Sequence, residues 1–205
     1  MIDPKRIDAV VLAGGRARRM GGVDKGLVEI GGRTMIARTL AAVAPQVGRV
    51  IISANRSLER YREFGIPVVA DRQPGFAGPL AGLDAGFAAT GGELLLSVPC
   101  DAPLLPPDLV ERLADALERS GNDIAVAEAG GRLHSLHALF RRSLAADLAA
   151  ALAAGERKPD RWYASRGFAR VAFDDAPDAF VNVNTPDQLE QLEARLTPEI
   201  PREIP

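Results

Sequence analysis

The chain of 205 residues holds one cysteine and two histidines, and these small numbers exclude several chemistries at once. Cys100 has no second cysteine with which to form an internal disulfide. His134, His137 and Cys100 are too few and too poorly spaced for a structural zinc site, so any metal is expected to sit on oxygen ligands. No cationic N-terminus leads into a long apolar run, which argues against secretion or a membrane span and for a cytoplasmic enzyme. Charge of one sign is lacking too. With 25 Lys and Arg against 27 Asp and Glu, the formal net charge is -2, and binding nucleic acid through overall electrostatics is not expected. A local basic cluster can still hold a small phosphorylated molecule. No internal repeat is present.

The length suits one well-buried α/β domain, placed at 1–196, with the Pro-rich tail 197–205 expected to fray. Val- and Ile-rich runs alternate with segments of helical period. Strands are read at Ile7 to Leu12, RVIISAN, IPVVAD, ELLLSVP, DIAVAEA, LHSLHALF and, as an edge, FARVAFDD. Helices are read at Thr34 to Val43, Leu58 to Phe64, GPLAGLDAGFAAT, PPDLVERLADALERSG and Arg142 to Ala154, with a last one opened by Thr185-Pro186. In the fourth of these, Leu109, Leu113 and Leu117 share one face. The alternation predicts a Rossmann-like, mostly parallel sheet with helices on both faces. In such sheets ligands bind beyond the carboxyl ends of the strands, and the informative residues cluster there.

The first strand runs into LAGGRARRMGGVDKGL. This spelling is neither the phosphate loop GxxxxGK followed by Ser or Thr nor the dinucleotide fingerprint GxGxxG. It still offers bare backbone at Ala13, Gly14 and Gly15, where N–H groups can approach phosphates, and cations at Arg16, Arg18, Arg19 and Lys25. A solvated basic turn is the competing reading. Downstream, LLLSVPCDAPLLPPD places Asp101 just past a buried strand, where one carboxylate and substrate phosphates suffice for Mg²⁺; a turn-forming Asp is the alternative there.

Together with GPLAG, PCDAPLLPPDL and FVNVNTPDQL, this opening resembles the molybdenum cofactor guanylyltransferase family over nearly the whole chain. The resemblance implies a nucleotidyltransferase of the glycosyltransferase-A-like fold. It also implies an Mg²⁺-dependent reaction in which GMP passes from GTP to molybdenum-bound molybdopterin with release of pyrophosphate. Other molybdenum cofactor biosynthesis proteins are possible further partners, and no nucleic acid or membrane is involved. By motif, Leu12, Ala13, Gly14 and Gly15 would line the nucleotide, Lys25 and the loop arginines would hold its phosphates, and Asp101 would hold the metal. The cytidylyltransferase acting on the same acceptor, a sugar-phosphate nucleotidyltransferase, and a nucleotide-binding partner protein without turnover are the rivals.

An ionised acceptor phosphate is its own nucleophile, so the lack of an obvious catalytic His or Cys fits this chemistry. Arg19 is the candidate for bridging the two substrates, although only one of Arg16, Arg18 and Arg19 need touch them. Guanine selection is expected from Ser53, Asn55, Asp71 and the turn Gly78-Pro79-Leu80, with Asp71 or a loop carbonyl facing the N1–H and N2–H donors. Relatives also carry Asn at position 53. Asn182 and Asn184 are placed on the acceptor side, toward a pterin edge or a phosphate, unless they only stabilise the turn before the last helix. In GERK, Arg157 and Lys158 are expected to add acceptor contacts. His134 stands in a His-Ser pair where relatives have His-Pro, and is read as structural or peripheral.

Overall fold

The computed structural model describes residues 2–14, 24–73, 78–183 and 186–196. In chain order the strands are β1 (Ile7–Leu12), β2 (Glu29–Ile30), β3 (Arg33–Thr34), β4 (Arg49–Ser53), β5 (Val68–Val69), β6 (Leu94–Pro99), β7 (Ile124–Ala129), β8 (Arg132–Arg141) and β9 (Ala169–Ala172). The helices are α1 (Met35–Val43), α2 (Leu58–Arg62), α3 (Pro79–Ala89), α4 (Leu109–Ser120), α5 (Ala145–Ala153), α6 (Pro159–Ala164) and α7 (Pro186–Leu196). Seven strands make one sheet in the order β5-β4-β1-β6-β8-β7-β9, and β2 pairs with β3 in a separate hairpin.

Every neighbouring pair in the large sheet is parallel except those made by β8, which runs against both β6 and β7. The reversal comes from Gly130 and Gly131, whose φ values of 56° and 71° give the two-residue turn that matches strand twist. A register shift between Val126 and Glu128 bends the start of β8 away from a regular ladder, as a bulge does.

Alternation along the strands sorts the core onto two faces. Ala9 and Val11, Val50 and Ile52, and Leu94, Leu96 and Val98 pack with α1, α2 and α4 on one side. Val10, Ile51, Leu95, Val126 and Phe140 pack with α3, α5 and α6 on the other. On α4 the expected Leu109, Leu113 and Leu117 are all fully buried, each stabilising the fold by about 2 kcal/mol relative to exposure.

Differences from the sequence reading have local causes. The strand expected over IPVVAD narrows to Val68–Val69, an edge paired only with β4. The helix expected from Pro106 begins at Leu109, because Gln46 takes over its start: the Gln46 amide donates to the Pro106 carbonyl at 2.9 Å and accepts from the Val110 N–H at 3.0 Å. The segment over Arg142 to Ala154 opens as a 3₁₀ turn, Arg142–Leu144, before α5. The β2–β3 hairpin and α6 lie outside the sequence reading altogether; α6 is only six residues long, with Pro159 in its first turn and Trp162 and Tyr163 buried. The tail 197–205, expected to fray, lies outside the described residues.

Candidate active site

Because β1, β4, β5 and β6 are parallel, their carboxyl ends meet along one edge. There the Ala13 N–H donates to the Ser53 carbonyl at 2.8 Å, and the Cys100 N–H donates to the Leu12 carbonyl at 3.1 Å. The Asp71 N–H donates to Asn55 Oδ1 at 2.9 Å. A Cβ on Gly14 would lie 3.2 Å from the Asn55 side-chain nitrogen, and one on Gly82 would lie 2.8 Å from Leu12 Cδ2 and 2.9 Å from the Ser53 hydroxyl. Gly82 therefore lets α3 press its first turns against the ends of β1 and β4. Leu12, Ala13, Gly14, Ser53, Asn55 and Asp71 form one connected group, with Gly78, Pro79 and Leu80 leading into the same helix. Burial, together with the nearby Asp84 charge, lifts the Asp71 carboxyl above its usual range, while the Asn55 amide opposes that shift.

Lys25 and Asp101 face each other where β6 ends, with Nζ 3.4 Å from Oδ2 and both side chains largely buried. Burial lifts the Asp101 carboxyl above its ordinary value, and the Lys25 ammonium pulls it back. Lys25 starts a 3₁₀ turn, Lys25–Leu27, with Asp24 just before it. Cys100 is buried and its thiol is pushed well above its ordinary value, chiefly by desolvation and then by the Asp101 and Asp24 charges. A neutral, enclosed thiol packs and does not attack.

The other wall comes from the end of the chain. The Val183 N–H donates to the Asp101 carbonyl at 3.0 Å, which ties the residue after Asn182 to the Asp101 backbone. Asn182 also lines a cleft of about 600 Å³ shared with Arg132, His134, His137, Asp160 and Arg170. His134 lies over Phe180 with ring centroids 4.9 Å apart. Its imidazole is shifted down by burial and by Arg132. His137 is buried, its ring nitrogens make no hydrogen bond among the described residues, and its pKa is pushed down to about 3 by desolvation. Both rings are thus neutral near pH 7, and among the described residues no three His, Cys, Asp or Glu side chains converge on a metal position.

The sequence candidates part in the structure. Leu12, Ala13, Gly14, Ser53, Asn55 and Asp71 are brought together, Lys25 pairs with Asp101, and Asn182 precedes the residue bonded to the Asp101 carbonyl. Arg157 goes elsewhere: its guanidinium donates to the carbonyls of Leu152 at 2.8 Å and Glu156 at 2.7 Å, and its own carbonyl oxygen lies 3.4 Å from where a Gly78 Cβ would sit. Gly15, Arg16, Arg18, Arg19 and Asn184 lie outside the described residues.

Residues 9–171 match the model of the MobA-like NTP transferase domain. The chain is 52% identical over 191 residues to the molybdenum cofactor guanylyltransferase of Shewanella sp. strain ANA-3, covering 93% of this chain and 97% of that protein. The chain belongs to the molybdenum cofactor guanylyltransferase family. A second member, from Shewanella amazonensis, is also 52% identical and is covered to 98%. Among solved structures, the molybdopterin-guanine dinucleotide biosynthesis protein A of Archaeoglobus fulgidus superposes with a TM-score of 0.75 at 25% identity, covering 92% of this chain and 97% of that one. The 4-diphosphocytidyl-2C-methyl-D-erythritol synthase of Anaerococcus prevotii shares the fold, with a TM-score of 0.74 at 16% identity over 95% of this chain and 97% of its own.

Within this guanylyltransferase fold, three features escape a reading of the sequence. Tyr61 looks like an ordinary helix residue, yet its phenol donates to Asp24 Oδ1 at 2.6 Å beside Lys25. Arg132 and Arg170 are separated along the chain and converge only because β9 pairs with β7 next to β8. Asp24 was visible in the DKG spelling, but nothing in the spelling reveals that its carboxylate turns inward. No helix among the described residues is long and apolar enough to cross a membrane.

Proposed function

We propose that the edge formed by β1, β4, β5 and β6 binds GTP and that the cleft beside Asn182 receives the acceptor, molybdenum-bound molybdopterin. The protein is a guanylyltransferase that forms molybdopterin guanine dinucleotide, as its family membership supports. The observation that supports the two-substrate reading is the Val183–Asp101 backbone bond, which ties the segment carrying Asn182, a residue of the cleft wall, to the residue that pairs with Lys25.

In the proposed step an oxygen of the acceptor's terminal phosphate bonds to the α-phosphorus of GTP. The bond from that phosphorus to the bridging oxygen breaks, and pyrophosphate leaves with the electron pair. The nucleophile is already ionised at neutral pH, so the protein contributes placement and charge. Lys25 neutralises phosphate oxygens, Gly14 presents backbone, and Asp71 with Asn55 faces the base. Arg19 is assigned the bridge between the phosphates of the two substrates, and Gly15, with Gly78, Pro79 and Leu80, the wall of the nucleotide. Asn182 and Asn184 are assigned to the acceptor; Arg157 can join them only by giving up its bonds to carbonyls at the end of α5.

Asp101 also fits a hard divalent cation. A single mostly buried carboxylate whose Cys100 neighbour is a neutral, enclosed thiol suits Mg²⁺, which takes its remaining ligands from phosphates and water. Bound there, Mg²⁺ would neutralise charge on the triphosphate oxygens. A cytoplasmic location and contact with other molybdenum cofactor biosynthesis proteins complete the proposal.

Transfer of α-phosphate label from GTP and, separately, from CTP to molybdenum-loaded molybdopterin tests this reading. We expect GTP-selective labelling, reduced about 10³-fold in Asp101→Ala. CTP-selective labelling would move the chain to cytidylyl transfer, and nucleotide binding with no transfer would favour a partner protein without turnover.

A further inference from the structure

Lys25 is held by more than its contact with Asp101. The residue before it, Asp24, has its carboxylate buried between two groups from the β4–α2 segment: the Tyr61 phenol at 2.6 Å and Arg56 Nε at 3.5 Å. Asp24 occupies the position that usually caps the following turn, yet makes no side-chain cap bond there. Its oxygens face Tyr61 and Arg56 instead.

The residue after Lys25 is gripped by the same phenol. A Cβ on Gly26 would come within 2.5 Å of the Tyr61 oxygen and 3.2 Å of Cys100 Sγ. One hydroxyl thus touches both neighbours of Lys25, and Cys100, next to Asp101, closes the far side. Tyr61 is fully buried, and it is the one buried residue of α2. Burial raises its phenol far above the ordinary range, so it stays a donor at every pH the enzyme meets. Between Arg56 and α2 the backbone turns through Ser57, a non-glycine residue in the left-handed region with φ 53°. Such a conformation persists only where its surroundings fix it, and here it brings Arg56 and Tyr61 to the same carboxylate.

We infer that Tyr61 is a positioning residue for catalysis, whose hydroxyl, through Asp24 and Gly26, fixes the backbone that aims Lys25 at the substrate phosphates. The inference rests on the phosphate role of Lys25 proposed above. Tyr61 touches no reacting atom. A buried tyrosine serving only stability would be indifferent to what side chain stands at position 25.

A double-mutant cycle separates the two. Tyr61→Phe keeps the ring and removes only the hydroxyl. We expect it to lower GMP transfer and weaken GTP binding about 10-fold with Lys25 present, because a small misplacement of a phosphate ligand is costly. In the Lys25→Ala background the same change should alter GTP affinity less than about 2-fold, since there is no ammonium left to aim. Binding measured by calorimetry without acceptor gives this readout even where transfer is too slow to follow. Equal loss in both backgrounds, or no loss in either, overturns the positioning role alone. Lys25→Ala with wild-type GTP binding and transfer overturns the phosphate role of Lys25, and the positioning role falls with it.

Discussion

The two halves of the sheet present different kinds of surface. In the half made by β5, β4, β1 and β6, all strands run in one direction, so four connecting segments reach the same edge and knit together through backbone bonds such as Ala13 to Ser53 and Cys100 to Leu12. That arrangement suits a nucleotide, whose phosphates and base are read largely by backbone and short side chains. In the half made by β8, β7 and β9, one strand runs the other way. Its early residues, His134 to His137, lie beyond the stretch paired with β6 and line the cleft from within the strand itself. A parallel half presents loops, and an antiparallel strand presents its own side chains. The difference provides two kinds of surface on one fold without a second domain.

The sharpest break between the halves is expected at Asp71. Asp71→Ala should leave acceptor use unchanged while reducing discrimination of GTP over ATP by about 100-fold, the scale of a lost hydrogen bond between a charged group and its donor; competition kinetics with both nucleotides measures it. A comparable loss in acceptor KM would erase the proposed division. Asn182→Ala should do the reverse, raising acceptor KM by about 10-fold with little change in GTP KM, as for one neutral hydrogen bond. If GTP KM rises as much, Asn182 belongs with the nucleotide.

Stability around the cleft should itself respond to pH. His137 titrates near 3 when folded because burial disfavours its charge, and near 6.5 when unfolded. Its folded pKa is depressed, so between these values the unfolded chain binds the extra proton. Stability therefore falls by about 1.4 kcal/mol for each pH unit below 6.5, levelling off near pH 3. His137→Leu should flatten that slope in urea titrations between pH 6.5 and 4, relative to the native chain. An unchanged slope would mean that the ring takes up a proton without unfolding.

How much of this was legible beforehand follows from how local each signal is. The strand from Ile7 to Leu12, the leucine face of α4 and the position of Asp101 after β6 depend on periodicity and on short spacings, and the structure has them as read. Gly14 was legible as bare backbone, but its approach to Asn55 was not, nor was the packing of Gly82 on Leu12 and Ser53. Gln46 at the start of α4 and Tyr61 against Asp24 act across long stretches of chain, and nothing in their neighbours' spelling marks them. The cleft was the least legible, since Arg132 and Arg170 meet only through the sheet order. His137 reads in sequence as a polar break in an apolar strand, and only packing turns it into a buried neutral ring.

The bond from Val183 to Asp101 also bears on the order in which the molecule can be made. β1 gains its partner β6 only when residues 94–99 have been synthesised, and the wall beside Asp101 waits for residue 183, close to the end of the chain. Contacts of such long range form slowly compared with local ones. A nascent chain emerging from the ribosome can assemble the edge formed by β1, β4 and β6 well before residue 183 arrives to brace Asp101, so the wall beside that carboxylate is built after the strands that carry it.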